Sequence, residues 1–444
     1  MREVMKEVKV GLLGLGTVGG GTITVLARNR VEIARRAGRE IRVAMASARD
    51  LKKPRNFDTK GIELVADPAA IVRHPDIDVV VELIGGKDPA RQLILDAIAH
   101  GKHVVTANKH LIAVHGNEIF EAAQKKGVMV AFEAAVAGGI PIIKTIREGL
   151  TGNRIEWLAG IINGTSNFIL TEMREKGADF AAVLKEAQRL GYAEADPTFD
   201  IEGIDAAHKL TILAAIAFGI PLQFDKAYVE GISKVTGQDV AYAEELGYRL
   251  NLLGISRQTN GGVELRVHPT LIPHRRLIAN VDGAMNAVLV KGDAVGPTMF
   301  YGAGAGAEPT ASAVVADLVD VVRTLTTDPN NRVPHLAFQA DRRANLPVLP
   351  MEQVETRYYL RLHAQDKPGV LADVTRVLAD LGISIEAILQ KEPTPDERIV
   401  PVIILTHRVK EKHMNAAIAR IEKLDAIQGP VARIRVEHLN ADWT

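Results

Sequence analysis

Short apolar runs alternate with longer stretches of helical spacing from Val8 to Phe132. Val8 to Leu13 is rich in β-formers and ends in glycines, and Val18 to Arg36 then carries apolar residues at helical spacing. Ile41 to Ala46 reads as a second strand and Asp78 to Ile84 as a third. In the third, Val79, Val80 and Val81 follow one another, which predicts a strand covered on both faces, as in a parallel sheet. Pro89 to His100 reads as a helix, and His103 to Thr106 and Val128 to Phe132 as further strands. Alternation of this kind predicts a doubly wound α/β sheet of the Rossmann type.

The pattern changes at Gly138, Gly139 and Pro141, which precede the helical stretch Ile142 to Leu150. Beyond it strands and long helices mix without regular alternation, and a second, α+β-like domain is the simplest account. A glycine-rich stretch, Gly302 to Gly306, precedes an apolar helix, Ala311 to Leu325, expected to return to the first domain. Residues 326–355 are rich in Pro, Asn and Asp and read as a connection. The pattern then restarts. Tyr358 to Leu362 reads as a strand, and Gly369 to Leu381 as an amphipathic helix stopped by Gly382. Ile383 to Leu389 and Ile399 to Thr406 read as strands, His413 to Leu424 as a helix and Ala432 to Glu437 as a strand. The order βαββαβ is that of a ferredoxin-like unit. The expected divisions are therefore 1–138, 139–330, a linker at 331–355, and 356–444.

Composition narrows the chemistry. The formal net charge is zero, so no basic field draws the chain to nucleic acid or anionic lipid. Cysteine is absent, which removes disulfides, thiolate nucleophiles and cysteine-bound zinc together and fits a reducing cytoplasm. No apolar run reaches the roughly 18–20 residues of a membrane span. The best candidate, Thr211 to Leu222, is interrupted by Gly219 and Pro221. Met1 to Val8 alternates charge with valine, unlike a signal peptide. His110 and His115 fall on different helix faces, and no H-E-x-x-H occurs, which argues against a catalytic zinc.

Gly14-Leu15-Gly16-Thr17-Val18-Gly19 is a G-x-G-x-x-G turn between a predicted strand and a predicted helix. Gly14 permits the tight turn, Gly16 lets a pyrophosphate approach the backbone, and Gly19 lets the helix pack on the strand. The phosphates then meet the free N–H groups of the helix start. An NAD site places an acid after the second strand to bond the ribose 2′-OH. Here the strand runs into Ser47-Ala48-Arg49, with Asp50 behind it and Lys52 and Lys53 following. Arg49 suits a 2′-phosphate, which favours NADP(H) over NAD(H); a solvated loop charge is the other reading of Arg49.

The stretch Ala187 to Lys209 holds Glu194, Asp196, Asp200, Glu202, Asp205 and Lys209. If Ile204 to Phe218 is a helix, Asp205 and Lys209 share one face. A lysine held by a carboxylate in a cleft can give a proton to a carbonyl oxygen as hydride arrives. On spacing alone, an ordinary surface ion pair accounts for the same two residues.

The stretch resembles the signature of homoserine dehydrogenases. It carries Ala187, Gly191-Tyr192, Asp196-Pro197, Asp200, Gly203, Asp205 and Lys209 without departure. Thr106-Ala107-Asn108-Lys109, Asn163-Gly164-Thr165-Ser166-Asn167, Gly304-Ala305-Gly306 and Pro309-Thr310 agree with the same family, over about residues 8–330. The resemblance implies interconversion of L-aspartate 4-semialdehyde and L-homoserine, on the route to threonine, methionine and isoleucine, by a homodimer or homotetramer. It implies Lys209 as the acid or base, Asp205 as its holder, and Lys109 between nicotinamide and substrate. Thr106 and Gly306 would join the cofactor site. Glu194 would take the substrate ammonium, and Asp200, Gly164, Thr165 and Tyr192 would line the pocket. The carbonyls of Glu133, Val136, Gly138 and Ile140 would hold Na⁺.

Asp366-Lys367-Pro368-Gly369-Val370-Leu371 is a tight turn before a helix, and a helix N-terminus can receive a carboxylate. It resembles the D-x-P-G-[VIL]-L motif of ACT domains, which pair edge to edge and bind amino acids. The resemblance implies an effector site at Asp366, Gly369 and Val370, with L-threonine the natural candidate; a dimerising appendage without ligand is the other reading. Two further classes are set against the enzyme reading. Aspartate-semialdehyde dehydrogenase chemistry needs a nucleophilic cysteine, absent here. A non-enzymatic nucleotide-binding sensor would have no use for Asp205, Lys209 and Lys109 together.

Overall fold

The valine-rich runs lie side by side. In the computed structural model, which describes residues 6–391 and 398–439, six strands form one parallel sheet. They are β1 (Val8–Leu13), β2 (Ile41–Ser47), β3 (Glu63–Val65), β4 (Val79–Glu82), β5 (His103–Thr106) and β6 (Val130–Ala131). The order β3-β2-β1-β4-β5-β6 reverses between β1 and β4, as in a doubly wound dinucleotide-binding fold. All of β4 and β5 is buried, as strands covered on both faces must be.

Two local expectations need correction, and one helix was not expected. The single helix from Val18 to Arg36 is two, Thr17–Arg28 and Arg30–Ala37, broken at Asn29. The helix expected from Ala311 begins at Ala307, with Pro309 in its first turn, where proline's missing N–H costs nothing. A long helix, Lys109–Lys126, capped by the Asn108 side chain, follows β5.

The chain folds as two compact units. The first contains the chain up to Gly164, with Asp205–Ala227 and Ala284–Leu346. Helix Ala307–Thr324 shares the core of the parallel sheet, with Ala311, Val314 and Leu318 buried alongside Val10, Leu12 and Leu26. A Cβ on Gly21 would stand 2.4 Å from the Ala307 carbonyl, so only glycine lets the helix Thr17–Arg28 approach so closely. The strands Ile155–Ile161, Met285–Gly292 and Gly296–Ala303 pair antiparallel in this unit. Residues 326–346 do not hang free: Arg332 donates to the Gly127 carbonyl at 2.8 Å, and His335 accepts the Val130 N–H at 3.0 Å.

The second unit combines Thr165–Ile204, Tyr228–Gly283 and the chain from Pro347 on. Its centre is the hairpin Tyr248–Thr259 and Gly262–Pro273, whose second strand is buried at every position. The C-terminal βαββαβ unit has helices Val370–Asp380 and Glu411–Ile421 over a sheet of Glu355–Gln365, Ile399–Thr406, Ile385–Gln390 and Ala432–Val436. Tyr358, Leu360, Leu378, Ile404 and Met414 form its core. The last five residues of the expected 356–444 domain lie outside the described residues.

This C-terminal sheet continues directly into the hairpin. Ala432–Val436 runs parallel to Gly262–Pro273, with Thr270 opposite Arg435. Two buried ion pairs flank the joint. Arg266 meets Glu437 at 2.5 Å, and Arg361 meets Asp239 at 2.7 Å. Asp239 also accepts the Tyr359 hydroxyl and, with Thr236, closes the capping box of helix Gly237–Glu245. Removing one partner of a buried pair leaves the other charge uncompensated. Asp239→Ala is therefore expected to cost about 3–5 kcal/mol, read as a lowered urea midpoint. A loss below about 1 kcal/mol, the range of a surface pair, would show the pair to be idle.

Candidate active site

The glycine turn takes its expected shape at the carboxyl end of β1. Gly14 has φ of +102°, which favours glycine. A Cβ on Gly19 would fall 2.1 Å from the Gly14 carbonyl, whereas nothing lies within 4 Å of one on Gly16. The first explains close helix packing and the second leaves room for a ligand. Leu15, Thr17 and Val18 complete the turn into helix Thr17–Arg28, whose start has no side-chain cap. Its first N–H groups therefore suit phosphate. Thr106 ends β5, and Gly306, at φ +120°, caps helix Ala307–Thr324.

After β2, Asp50 turns inward: its Oδ1 accepts the N–H groups of Lys52 and Lys53. Arg55 ties the same loop by donating to the carbonyls of Asp50, Leu51 and Lys53. Arg49 is exposed. Glu82, fully buried at the end of β4, escaped the sequence reading. It accepts the N–H groups of Ile84 and Gly85 and the Thr106 hydroxyl, and so fixes two loops at the carboxyl edge of the sheet.

The acid–lysine pair is not a surface pair. Helix Ile204–Phe218 is buried from Asp205 onward, and the Asp205 side chain is 2% exposed. Its Oδ2 receives Lys209 Nζ at 2.6 Å, and its Oδ1 meets Lys109 Nζ at 2.6 Å. Lys209 also donates to the Ile162 carbonyl at 2.7 Å, and Asn163 donates to Asp205 Oδ2 at 2.8 Å. Burial alone would raise the Asp205 carboxyl, but Lys209 and Lys109 outweigh it and hold it well below the usual carboxylate range. The carboxylate thus stays ionised, and two ammonium groups converge on it.

The neighbours of both lysines meet as well. The rings of His110 and His208 lie 4.8 Å apart, and His208 stacks on Phe224 at 4.1 Å. Burial pushes His208 down to about 4, so its ring is neutral at pH 7. This contact braces the start of helix Lys109–Lys126 against helix Ile204–Phe218 and so sets the spacing of the lysines. Asn163 entered the sequence reading only within a family motif, His110 only as a rejected metal ligand, and His208 not at all.

In the second unit, Thr165 donates to the Tyr192 carbonyl at 2.7 Å and to Asp200 Oδ2 at 3.1 Å. Ser166 donates to the Asp200 carbonyl, and Tyr192 stacks on Phe168 at 4.4 Å. Glu194 is exposed. Gly164 packs on the Ala284 carbonyl, where a Cβ would come within 2.8 Å. The stretch Glu133 to Ile140 turns through positive φ at Ala137 and Gly138. The Glu133 carboxyl accepts the N–H groups of Ile143 and Lys144, and burial pushes it up to about 7. In the C-terminal unit, a cavity of about 420 Å³ opens beside Asp366 to Leu371, lined also by Gln390 and Val402. Gly369 has φ of +93° at the uncapped start of helix Val370–Asp380.

A dinucleotide-type sheet, two lysines on one buried carboxylate and an appended βαββαβ unit together define a nicotinamide-dependent oxidoreductase. Residues 14–133 match the NAD-binding domain of homoserine dehydrogenase, residues 141–319 homoserine dehydrogenase itself, and residues 358–426 the ACT domain. The chain is 66% identical to the homoserine dehydrogenase of Pseudomonas aeruginosa over 98% of its own length and 100% of that protein's. It superposes with a TM-score of 0.94 on the crystal structure of a homoserine dehydrogenase from Thiobacillus denitrificans, at 71% identity, covering 98% of this chain and 99% of that one. A hyperthermophilic archaeal homoserine dehydrogenase solved with NADPH gives 0.60 at 25% identity, covering 71% and 98%. The chain belongs to the homoserine dehydrogenase family.

Lys209→Ala is expected to lower kcat by about 100- to 10,000-fold, the worth of a general acid, with nucleotide binding retained. A variant keeping half of the parent kcat would remove Lys209 from the chemistry.

Proposed function

We propose that the chain interconverts L-aspartate 4-semialdehyde and L-homoserine. The observation that carries this reading is the buried carboxylate of Asp205 between Lys109 and Lys209. Bound nicotinamide supplies or accepts the hydride. Lys209 gives a proton to the aldehyde oxygen, or takes it from the alcohol in reverse. Asp205 keeps that ammonium aimed, and Lys109 adds a second positive charge where oxygen gains negative character. On the family pattern, Glu194 takes the substrate ammonium, and Asp200, Gly164, Thr165 and Tyr192 surround the amino-acid end. Homoserine-dependent reduction of the nicotinamide by purified protein, read by absorbance, tests the reading; no reduction with either cofactor would refute it.

The functional division follows the chain: nucleotide binding at 1–138, catalysis at 139–330, a connection at 331–355 and control at 356–444. The carbonyls of Glu133, Val136, Gly138 and Ile140 are hard oxygen donors of the kind Na⁺ accepts. Those of Glu133 and Ile140 each already accept one backbone N–H and offer a second lone pair. Among the described residues no helix is long and apolar enough to cross a membrane. With cysteine absent, a cytoplasmic enzyme is the natural setting. Assembly as a homodimer or homotetramer is supported by two outer strands, Gly296–Ala303 with Tyr301 57% exposed and Ile385–Gln390 with Ile388 42% exposed.

NADP(H) is the preferred cofactor on this reading. Asp50 is occupied by its own loop, which leaves Arg49 to meet a 2′-phosphate. Wild type is expected to show the higher kcat/KM with NADP⁺, and Arg49→Ala to lower it about tenfold, one charge-assisted hydrogen bond, with NAD⁺ values unchanged. Preference for NAD⁺, untouched by the substitution, would make Arg49 a solvated charge.

L-threonine is the proposed effector of the C-terminal domain. Its carboxylate would meet the helix start at Gly369 and Val370, and Asp366 would face its ammonium. Truncation is a poor control, because it would uncover the buried edge of Gly262–Pro273 and strip partners from Arg266 and Asp239. In the full chain, L-threonine is expected to inhibit, and Asp366→Ala to raise the half-inhibiting concentration about tenfold. Equal inhibition of both proteins would place threonine at the active site instead.

A further inference from the structure

We propose that Arg435 and Glu230 are positioning residues for the substrate segment, so that the last strand of the ACT domain holds the turn bearing Asp200. The inference rests on the reading of Asp200 as a substrate-site residue.

The argument starts from charge balance. Arg435 is fully buried, and a buried guanidinium must be paired. Inside the C-terminal domain it meets Glu411, through Nε at 3.0 Å and through Nη2. Arg433 also meets Glu411, at 2.9 Å. The domain's own partners are therefore two arginines on one carboxylate, with one positive charge left over. Glu230, which lies outside the βαββαβ unit, supplies the missing negative charge. Its Oε2 accepts Arg435 Nη1 at 2.8 Å, Arg433 Nη2 at 3.4 Å and the Tyr228 hydroxyl at 2.7 Å. Arg435 Nη2 also donates to the Tyr228 hydroxyl at 3.0 Å.

From Glu230 the connection to Asp200 is short and without slack. The Glu230 N–H donates to the Val267 carbonyl at 2.8 Å, which ties its backbone to the central hairpin. At the next residue a Cβ would fall 2.4 Å from both Glu202 Cα and the Ile201 carbonyl, so Gly231 lies directly on the substrate segment. The Ile232 N–H then donates to the Ile201 carbonyl at 2.8 Å. Ile201 closes the turn Thr198–Ile201, and Asp200 within it is held by Thr165 and Ser166. Close-packed backbone passes a displacement on rather than absorbing it. A shift of Glu230 therefore moves the turn that presents Asp200. The strand Glu355–Gln365 connects the same cluster to the effector turn, because Tyr358 stands opposite Arg435 and donates its hydroxyl to Glu411 at 2.6 Å.

Such residues act on substrate affinity rather than on the proton or hydride step. In the full-length enzyme, Glu230→Ala is expected to raise the KM for homoserine about tenfold, one charge-assisted hydrogen bond. Its kcat should stay within about twofold and its affinity for NADP⁺ should not change. Glu230→Gln, which keeps an acceptor for Arg435, should return KM most of the way. Gly231→Ala leaves every charge in place but inserts a methyl group against Glu202, and should raise KM as well. Should Glu230→Ala fail to fold, Gly231→Ala carries the test. A parent-like KM in Glu230→Ala or in Gly231→Ala would overturn the proposal, as would a fall in kcat at unchanged KM. Asp200→Asn separates the two readings. If its KM is unchanged, Asp200 is not a substrate residue. If its KM rises while the Glu230 and Gly231 variants remain normal, the site reading stands and the positioning role fails.

Discussion

Asp205 carries an energetic burden that the surrounding fold exists to offset. An isolated carboxylate at 2% exposure would take up a proton or unfold its surroundings. It stays ionised because two ammonium groups and the Asn163 amide surround it. Each of those groups is delivered by a different element: Lys209 by its own helix, Lys109 by the helix after β5, and Asn163 from the end of strand Ile155–Ile161. The same carboxylate that the lysines stabilise is what keeps them converged. Their like charges would otherwise repel, and the His110–His208 ring contact sets how near they come. The dinucleotide sheet enters the arrangement through β5, whose end supplies Thr106 and the start of the Lys109 helix.

What could be read from the chain beforehand follows the range of the interactions. The glycine turn and the Asp205–Lys209 pair are local, one fixed by steric rules at three glycines and the other by helix periodicity. The partner of Asp205 on the second side, Lys109, is distant in sequence and was legible only through likeness to a family. Asn163 was noticed as part of a motif, but nothing in its neighbours says that its amide turns toward Asp205. Glu82 follows a run of valines, where a charge gives no sign of the buried partners that hold it, yet it is fully buried. The break at Asn29 was hidden because apolar spacing continues across it, and β3 escaped because three residues carry too little pattern.

The C-terminal domain shows the same limit at larger scale. Its strands and helices were visible, with ends displaced by a few residues. Its attachment was not, because Arg433 and Arg435 alternate with apolar residues, as charges on a solvent-facing strand do. In the fold that face meets Glu230 and Tyr228 instead. A binary pattern says which side of a strand is polar, not whether water or another carboxylate lies there.

The parallel pairing of Ala432–Val436 with Gly262–Pro273 has a consequence for how the protein is made. The hairpin strand Gly262–Pro273, buried at every position in the finished fold, leaves the ribosome long before its neighbour exists. At roughly 5–20 residues per second, the gap lasts on the order of ten to thirty seconds. During that time the strand edge at Thr270 and Leu271 stands unpaired, and unpaired strand edges recruit other chains. The unit that holds Asp200 cannot close until Ala432–Val436 has been made, so its central hairpin waits for a strand about 160 residues further along the chain.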